Sequence, residues 1–167
     1  MISFYFTVPF LLFLAMLETT LSPYVRPLGV HPDLVTLAVL SWSLLRGTRE
    51  GAVWAVIGGM GLDLLSAGPF GISALALLPV SLLTGLDEGR FFRGHALLLV
   101  LSVTVATVTF HTLLLLLLQV LGYPVNWGYA MFRVVAPLLL VNGFAMPILY
   151  GFLLWVHRRS APQGFLP

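Results

Sequence analysis

The sequence predicts an all-α polytopic membrane protein, with six transmembrane helices in a single integral domain that covers residues 1–167. Hydrophobic residues make up 59% of the chain and charged residues only 8%, whereas soluble domains carry about a quarter charged residues. So few polar side chains cannot cover the outside of a water-soluble fold. Apolar runs approaching the length that a bilayer core requires, about 20 residues for about 30 Å, recur along the chain.

The six spans are expected at about residues 2–21, 32–45, 51–66, 71–86, 96–121 and 132–156. The first apolar run lacks the basic start and the small-residue cleavage site of a signal peptide, so we expect a retained span. Pro32 and Asp33 open the second span, because proline suits the first helical turn and an acid suits its positive end. A tight hairpin joins the third and fourth spans, and its residues are Gly68, Pro69 and Gly71. Pro137 and Pro147 are expected kinks in the sixth span.

The arginines predict which side of the membrane each loop occupies, because short cytoplasmic loops are enriched in basic residues. With six alternating spans, one side carries Arg46, Arg49, Arg90, Arg93, Arg158 and Arg159, and the other carries Arg26 and Arg133. Both termini are therefore expected in the cytoplasm. The loops that hold Arg46, Arg49, Arg90 and Arg93 are either docking sites for a cytoplasmic partner or solvated connectors. Basic residues scattered in ones and twos are not typical of a nucleic-acid-binding surface.

Small residues form a stripe on the third predicted helix. Gly51, Ala55 and Gly59 are spaced by four residues and lead to Asp63, so all of them share one helix face. Small residues at this spacing let another helix approach closely. We therefore expect a packing face, either within the protein or against a partner's span, made by Gly51, Ala55, Gly58, Gly59 and Gly61.

A few polar residues lie inside or at the ends of the predicted spans. Glu18, Asp63 and Arg133 fall in the outer half of the membrane, and an unpaired charge there is costly, so we expect a cluster that Asn142 could join. The cluster is either an ion, proton or small-molecule site or a structural ion pair. His111 has no further ligands that the sequence supplies, and the chain lacks cysteine, so we assign no catalytic residue, metal ligand or cofactor site.

The order of these features resembles that of the rod shape-determining protein MreD family. The resemblance lies in the segment VHPDLVTLAVLSWSLLRGTREGAVWAVIGGMGLDLLSAGPFGISALAL. It has a Pro-Asp pair opening the second helix, a short turn with an arginine before the third, a glycine-rich third helix with an aspartate near its end, and a Gly-Pro-x-Gly hairpin. The matching residues are Pro32, Asp33, Arg46, Gly51, Gly59, Asp63, Ser66, Gly68, Pro69 and Gly71.

The resemblance implies a non-enzymatic scaffold in the bacterial inner membrane that acts in cell elongation. It implies binding to the single span of MreC, and a link between MreB filaments and peptidoglycan synthesis by RodA and its penicillin-binding transpeptidase. It also implies an architecture similar to the six-helix substrate-binding subunits of energy-coupling-factor vitamin transporters. A transporter subunit of that kind is the alternative function, and an intramembrane hydrolase is a third.

Overall fold

The computed structural model describes residues 4–21, 30–66, 68–85 and 96–160, and within them the chain is all helical, without strands. The first five helices are α1 (Phe4–Leu21), α2 (Leu34–Arg46), α3 (Thr48–Leu65), α4 (Ile72–Gly85) and α5 (Ala96–Val120). The sixth, α6, consists of a turn (Trp127–Tyr129), a π-helical segment (Ala130–Val135) and a long α-helix (Ala136–Ser160) in direct succession. The predicted all-α class is therefore confirmed.

Two of the described helices, Leu99–Val120 and Trp127–Arg159, are long and apolar enough by themselves to cross a membrane. The apolar helices Phe6–Thr20, Leu34–Arg46 and Ile72–Gly85 are shorter. The last helix begins several residues earlier than predicted. It is π-helical just before Pro137, whose nitrogen cannot donate to the helical ladder and whose ring crowds the preceding turn.

Helix α2 lies at the centre of the bundle and contacts every other helix. Ten consecutive residues, 35–44, are buried, and no residue of α2 is exposed. A helix without a continuous polar face is enclosed by its neighbours. The indole ring of Trp42 stacks on that of Trp54 from α3 with ring centroids 4.5 Å apart. Trp42 is thus a core residue that joins α2 to α3.

The relative directions of α2, α3 and α6 follow from their connections and contacts. Helix α2 runs antiparallel to α3, since a one-residue connection at Gly47 joins them, and Gly47 has the positive φ of 83° that favours glycine. Helix α6 runs parallel to α2, because Asn142 contacts Asp33 at one end and His157 contacts Arg46 at the other. These directions agree with alternating passes.

The small residues of α3 pack inside the protein, against more than one helix. A Cβ atom on Gly59 would lie 2.8 Å from the carbonyl carbon of Ser73 in α4 and closer still to the backbone of Ala74. A Cβ atom on Gly51 would collide with Ser43 of α2. Gly58 faces the side chains of Leu11 and Val35, Gly61 faces Leu12 and Ala15, and Ala55 is fully buried. The stripe therefore lets α3 approach α1, α2 and α4 closely.

Candidate functional site

A polar cluster surrounds the first turn of α2. Asn142 of α6 accepts a hydrogen bond from the backbone nitrogen of Asp33 (3.0 Å) and donates one to the Asp33 carboxylate (3.1 Å). The same amide nitrogen donates to the hydroxyl of Thr107 on α5, also at 3.1 Å. Asn142 and Thr107 are fully buried and Asp33 is nearly so. The amide of Asn142 therefore fixes α5 and α6 to the start of α2.

Glu18 of α1 caps the N-terminus of α2. Its Oε2 accepts a hydrogen bond of 3.0 Å from the backbone nitrogen of Val35. The side chain of Asp33, which occupies the N-cap position, makes no capping bond of its own. The first backbone N–H groups of a helix have no partner within the helix and carry a partial positive charge, so a carboxylate stabilises them. Glu18 of α1 thus caps α2 in place of the side chain of Asp33.

Two histidines border these carboxylates. The Nε2 atom of His111 lies 3.8 Å from Oδ2 of Asp33, and its Nδ1 lies 3.1 Å from the backbone oxygen of Thr107. His31, which precedes α2, has a ring nitrogen within 4.8 Å of carboxylate oxygens of both Glu18 and Asp33. The cluster therefore combines two carboxylates, two imidazoles and one amide, contributed by α1, α5, α6 and the segment before α2.

Asp63 lies outside this cluster and organises the α3–α4 hairpin. The sequence predicts a partner on the first or sixth helix, but the structure gives Asp63 the backbone nitrogens of Gly71 (2.8 Å) and Ser73 (3.1 Å). Gly71 has φ of 94° and no side chain to cap α4, so the carboxylate of the preceding helix caps it instead. Gly68 and Pro69 lie in the connection between the two helices.

The remaining predicted residues are distributed as follows. Arg133 is exposed on the π-helical part of α6 and, among the described residues, forms no ion pair with Glu18 or Asp63. The expected four-residue cluster therefore reduces to Glu18 and Asn142, joined by Asp33 and the two histidines. Arg49 is exposed at the start of α3. Arg90 and Arg93 lie outside the described residues.

A second polar group lies at the opposite end of α2. Arg46 donates a hydrogen bond of 2.8 Å from Nε to Nδ1 of His157, and its guanidinium is 3.7 Å from the carboxylate of Glu50. Glu50 also accepts a bond of 3.1 Å from the indole nitrogen of Trp42. Arg46 therefore joins the ends of α2 and α6 to the start of α3, whereas the sequence predicts a loop residue that either docks a partner or is solvated.

Comparison with known proteins identifies the family of this chain. A family model described as rod shape-determining protein MreD matches residues 1–158. The chain belongs to the MreD family. Membership assigns it to the system that determines rod shape and supports a location in the inner membrane, in agreement with the two membrane-capable helices. No curated protein and no solved structure matches the chain, so the likeness of this MreD-family protein to transporter subunits stays a prediction.

Two features of this cluster are not predicted from the sequence. They are the position of His31 beside the carboxylates and the capping of α2 by Glu18. Pro32 does not lie in the first helical turn as predicted, because α2 begins at Leu34 and Asp33 is its N-cap. The order His31-Pro32-Asp33 nevertheless places an imidazole and a carboxylate side by side at the start of this helix. The contact between Glu18 and Val35 had no signal in the sequence. It depends on how far α1 extends along α2, which a single helix pattern does not determine.

Proposed function

We propose that this MreD-family protein is a membrane scaffold of the cell-elongation machinery. It binds the single span of MreC and helps couple MreB filaments in the cytoplasm to peptidoglycan synthesis by RodA and its penicillin-binding transpeptidase. The match of the family model over residues 1–158 carries the proposal. The described part of the chain consists almost entirely of helices and short connections, so helix faces and helix ends are the surfaces it offers to partners.

The surface best suited to a partner's span is the outward face of α6. Gly143, Pro147 and Gly151 are spaced by four residues, and a Cβ atom on either glycine would meet nothing within 4 Å. Large exposed side chains flank this stripe: Leu140, Phe144, Ile148, Phe152 and Trp155. Small residues between bulky ones let two helices approach closely in lipid. The glycines of α3, in contrast, are already covered by the chain's own helices.

Substituting leucine for Gly151 or Gly143 is expected to reduce co-purification of MreC about tenfold or more, because the branched side chain fills the groove. The stability of the protein alone should not fall, since each glycine has open space around it. The measurement is a detergent pull-down from cells that express both proteins, quantified by mass spectrometry, alongside a thermal melt of each purified variant.

Val105→Phe is the matched control, because it adds bulk to an exposed position of α5. It should leave MreC recovery unchanged. Unaltered MreC recovery with both glycine variants would exclude this face of α6. Recovery of an ATPase module and a tightly bound small molecule, in place of MreC, would favour the transporter alternative.

The proposed arrangement in the membrane has six spans with both termini in the cytoplasm. The chain has no cysteine, so single-cysteine variants can be labelled with a membrane-impermeant maleimide in spheroplasts. Ser66→Cys and Tyr123→Cys, both at exposed positions, should react from outside, and Arg49→Cys only after permeabilisation. Labelling of Ser66→Cys on the same side as Arg49→Cys would mean that α3 does not cross the membrane.

A further inference from the structure

We propose that Glu18, His31 and Asp33 form a binding site for a divalent transition-metal ion. One ligand atom from each residue, two carboxylate oxygens and one imidazole nitrogen, lie within 4.8 Å of one another. Metal–ligand bonds to such atoms are about 2.0–2.2 Å long, so side-chain movements of about 1 Å bring all three atoms onto one ion. The inference is independent of the scaffold role.

The donor set indicates the class of metal. Imidazole nitrogen together with carboxylate oxygen suits Zn²⁺, Mn²⁺, Fe²⁺ or Co²⁺, whereas Ca²⁺ and Mg²⁺ prefer oxygen ligands alone. His111 lies at the edge of the site, with its Nε2 3.8 Å from Oδ2 of Asp33. It can serve as a fourth ligand or hold the carboxylate of Asp33 in place. Zn²⁺, which takes four nitrogen or oxygen ligands in a tetrahedron, is the ion that this set fits best.

The charge of the site also favours a cation. Glu18 and Asp33 are only 8% and 4% exposed, and among the described residues neither is within ion-pair distance of an arginine. Two carboxylates this close repel each other, and burial disfavours their charge. A divalent cation between them neutralises both, which hydrogen bonds from backbone N–H groups such as that of Val35 do not achieve.

His31 supplies an independent observation. Its Nδ1 atom is buried and, among the described residues, has no hydrogen-bond partner. A buried polar atom without a partner is unfavourable and calls for a ligand, a water or an ion. The other members of the cluster differ in this respect, because Asn142 is bonded through both its oxygen and its nitrogen. The buried atom without a hydrogen-bond partner thus lies on His31, the residue that supplies the imidazole ligand of the proposed site.

The test uses the full-length protein, purified in detergent through a tag without histidines and treated with a chelator. Titration with Zn²⁺ should show one equivalent bound and raise the melting temperature by about 5–10 °C at saturation. Glu18→Gln and His31→Gln should weaken the affinity for Zn²⁺ at least ~100-fold. Glutamine at position 18 retains an oxygen that can cap Val35, so loss of binding by that variant would not reflect loss of the cap.

Glu50→Gln and His157→Gln, at the opposite end of α2, are the matched controls and should bind Zn²⁺ like the unmodified chain. Co²⁺ added to the unmodified protein should give the visible absorption of a tetrahedral site, a readout that needs no variant. Absence of stoichiometric binding to the unmodified chain, or equal binding by Glu18→Gln and His31→Gln, would overturn the proposal.

Discussion

Replacing Gly59 with alanine is expected to destabilise the protein by about 3 kcal/mol or more, although only a methyl group is added. The new Cβ would lie under 3 Å from backbone atoms of Ser73 and Ala74, which cannot move aside as a flexible side chain can. Overpacking of this kind typically costs 1–3 kcal/mol, and here α3 and α4 must separate. The melting temperature in detergent should fall by roughly 10 °C.

Gly151→Ala is the matched control, because it makes the same chemical change in a helix where the new methyl group meets nothing within 4 Å. Alanine favours a helix over glycine, so this variant should be as stable as the unmodified protein or more so, by up to about 1 kcal/mol. Equal melting temperatures for the two variants would show that α3 and α4 are not in close contact at Gly59.

Replacing Asp63 with alanine is expected to loosen the α3–α4 hairpin and lower the melting temperature by about 10 °C. The substitution leaves the partly buried backbone nitrogens of Gly71 and Ser73 without their acceptor. A donor left unpaired costs about 1–3 kcal/mol when it is fully buried, so the two together should cost about that much here. Hydrogen exchange measured by mass spectrometry should accelerate in the peptide that contains residues 68–73.

Asp63→Asn separates the two bonds, because its amide oxygen can accept from one nitrogen while its NH₂ group faces the other. We expect about half the loss seen with alanine. Ser66→Ala is the neighbouring control: its hydroxyl makes only a 3.4 Å contact with the backbone oxygen of Asp63, so its effect should stay within about 0.5 kcal/mol. A normal exchange rate in the hairpin of Asp63→Ala would argue against the capping role.

The helices and the hairpin could be predicted because apolar runs, prolines and glycines determine them locally. The partners of the polar residues could not be predicted in the same way. Asp63 was correctly placed near the end of α3, but its bonds depend on the conformation of Gly71, eight residues later. Arg133 shares a predicted depth with Glu18, yet depth along a span does not specify which way a side chain points, and Arg133 points outward.

The end of α2 and the start of α6 show the same difference between what local sequence determines and what a side-chain contact determines. Prolines and glycines in the sequence predict where helices bend or stop, and Gly47 does end α2 after Arg46. The early start of α6 depends instead on Asn126, whose side chain accepts a hydrogen bond from the backbone nitrogen of Tyr129. The order Asn126-Trp127-Gly128-Tyr129 carries this N-cap signal, six residues before the predicted start of the span at about residue 132.

The short length and the burial of α2 have a consequence for its insertion into the membrane. With 13 residues it is about 20 Å long, well short of a hydrocarbon core of about 30 Å, and it contains Thr36, Ser41 and Ser43. A segment of this kind partitions weakly from the translocon into lipid on its own. The one-residue connection at Gly47 ties it to α3, so we expect α2 and α3 to leave the translocon together, as a helical pair. In the folded protein no residue of α2 is exposed, so we expect this helix to contact lipid mainly while it is being inserted.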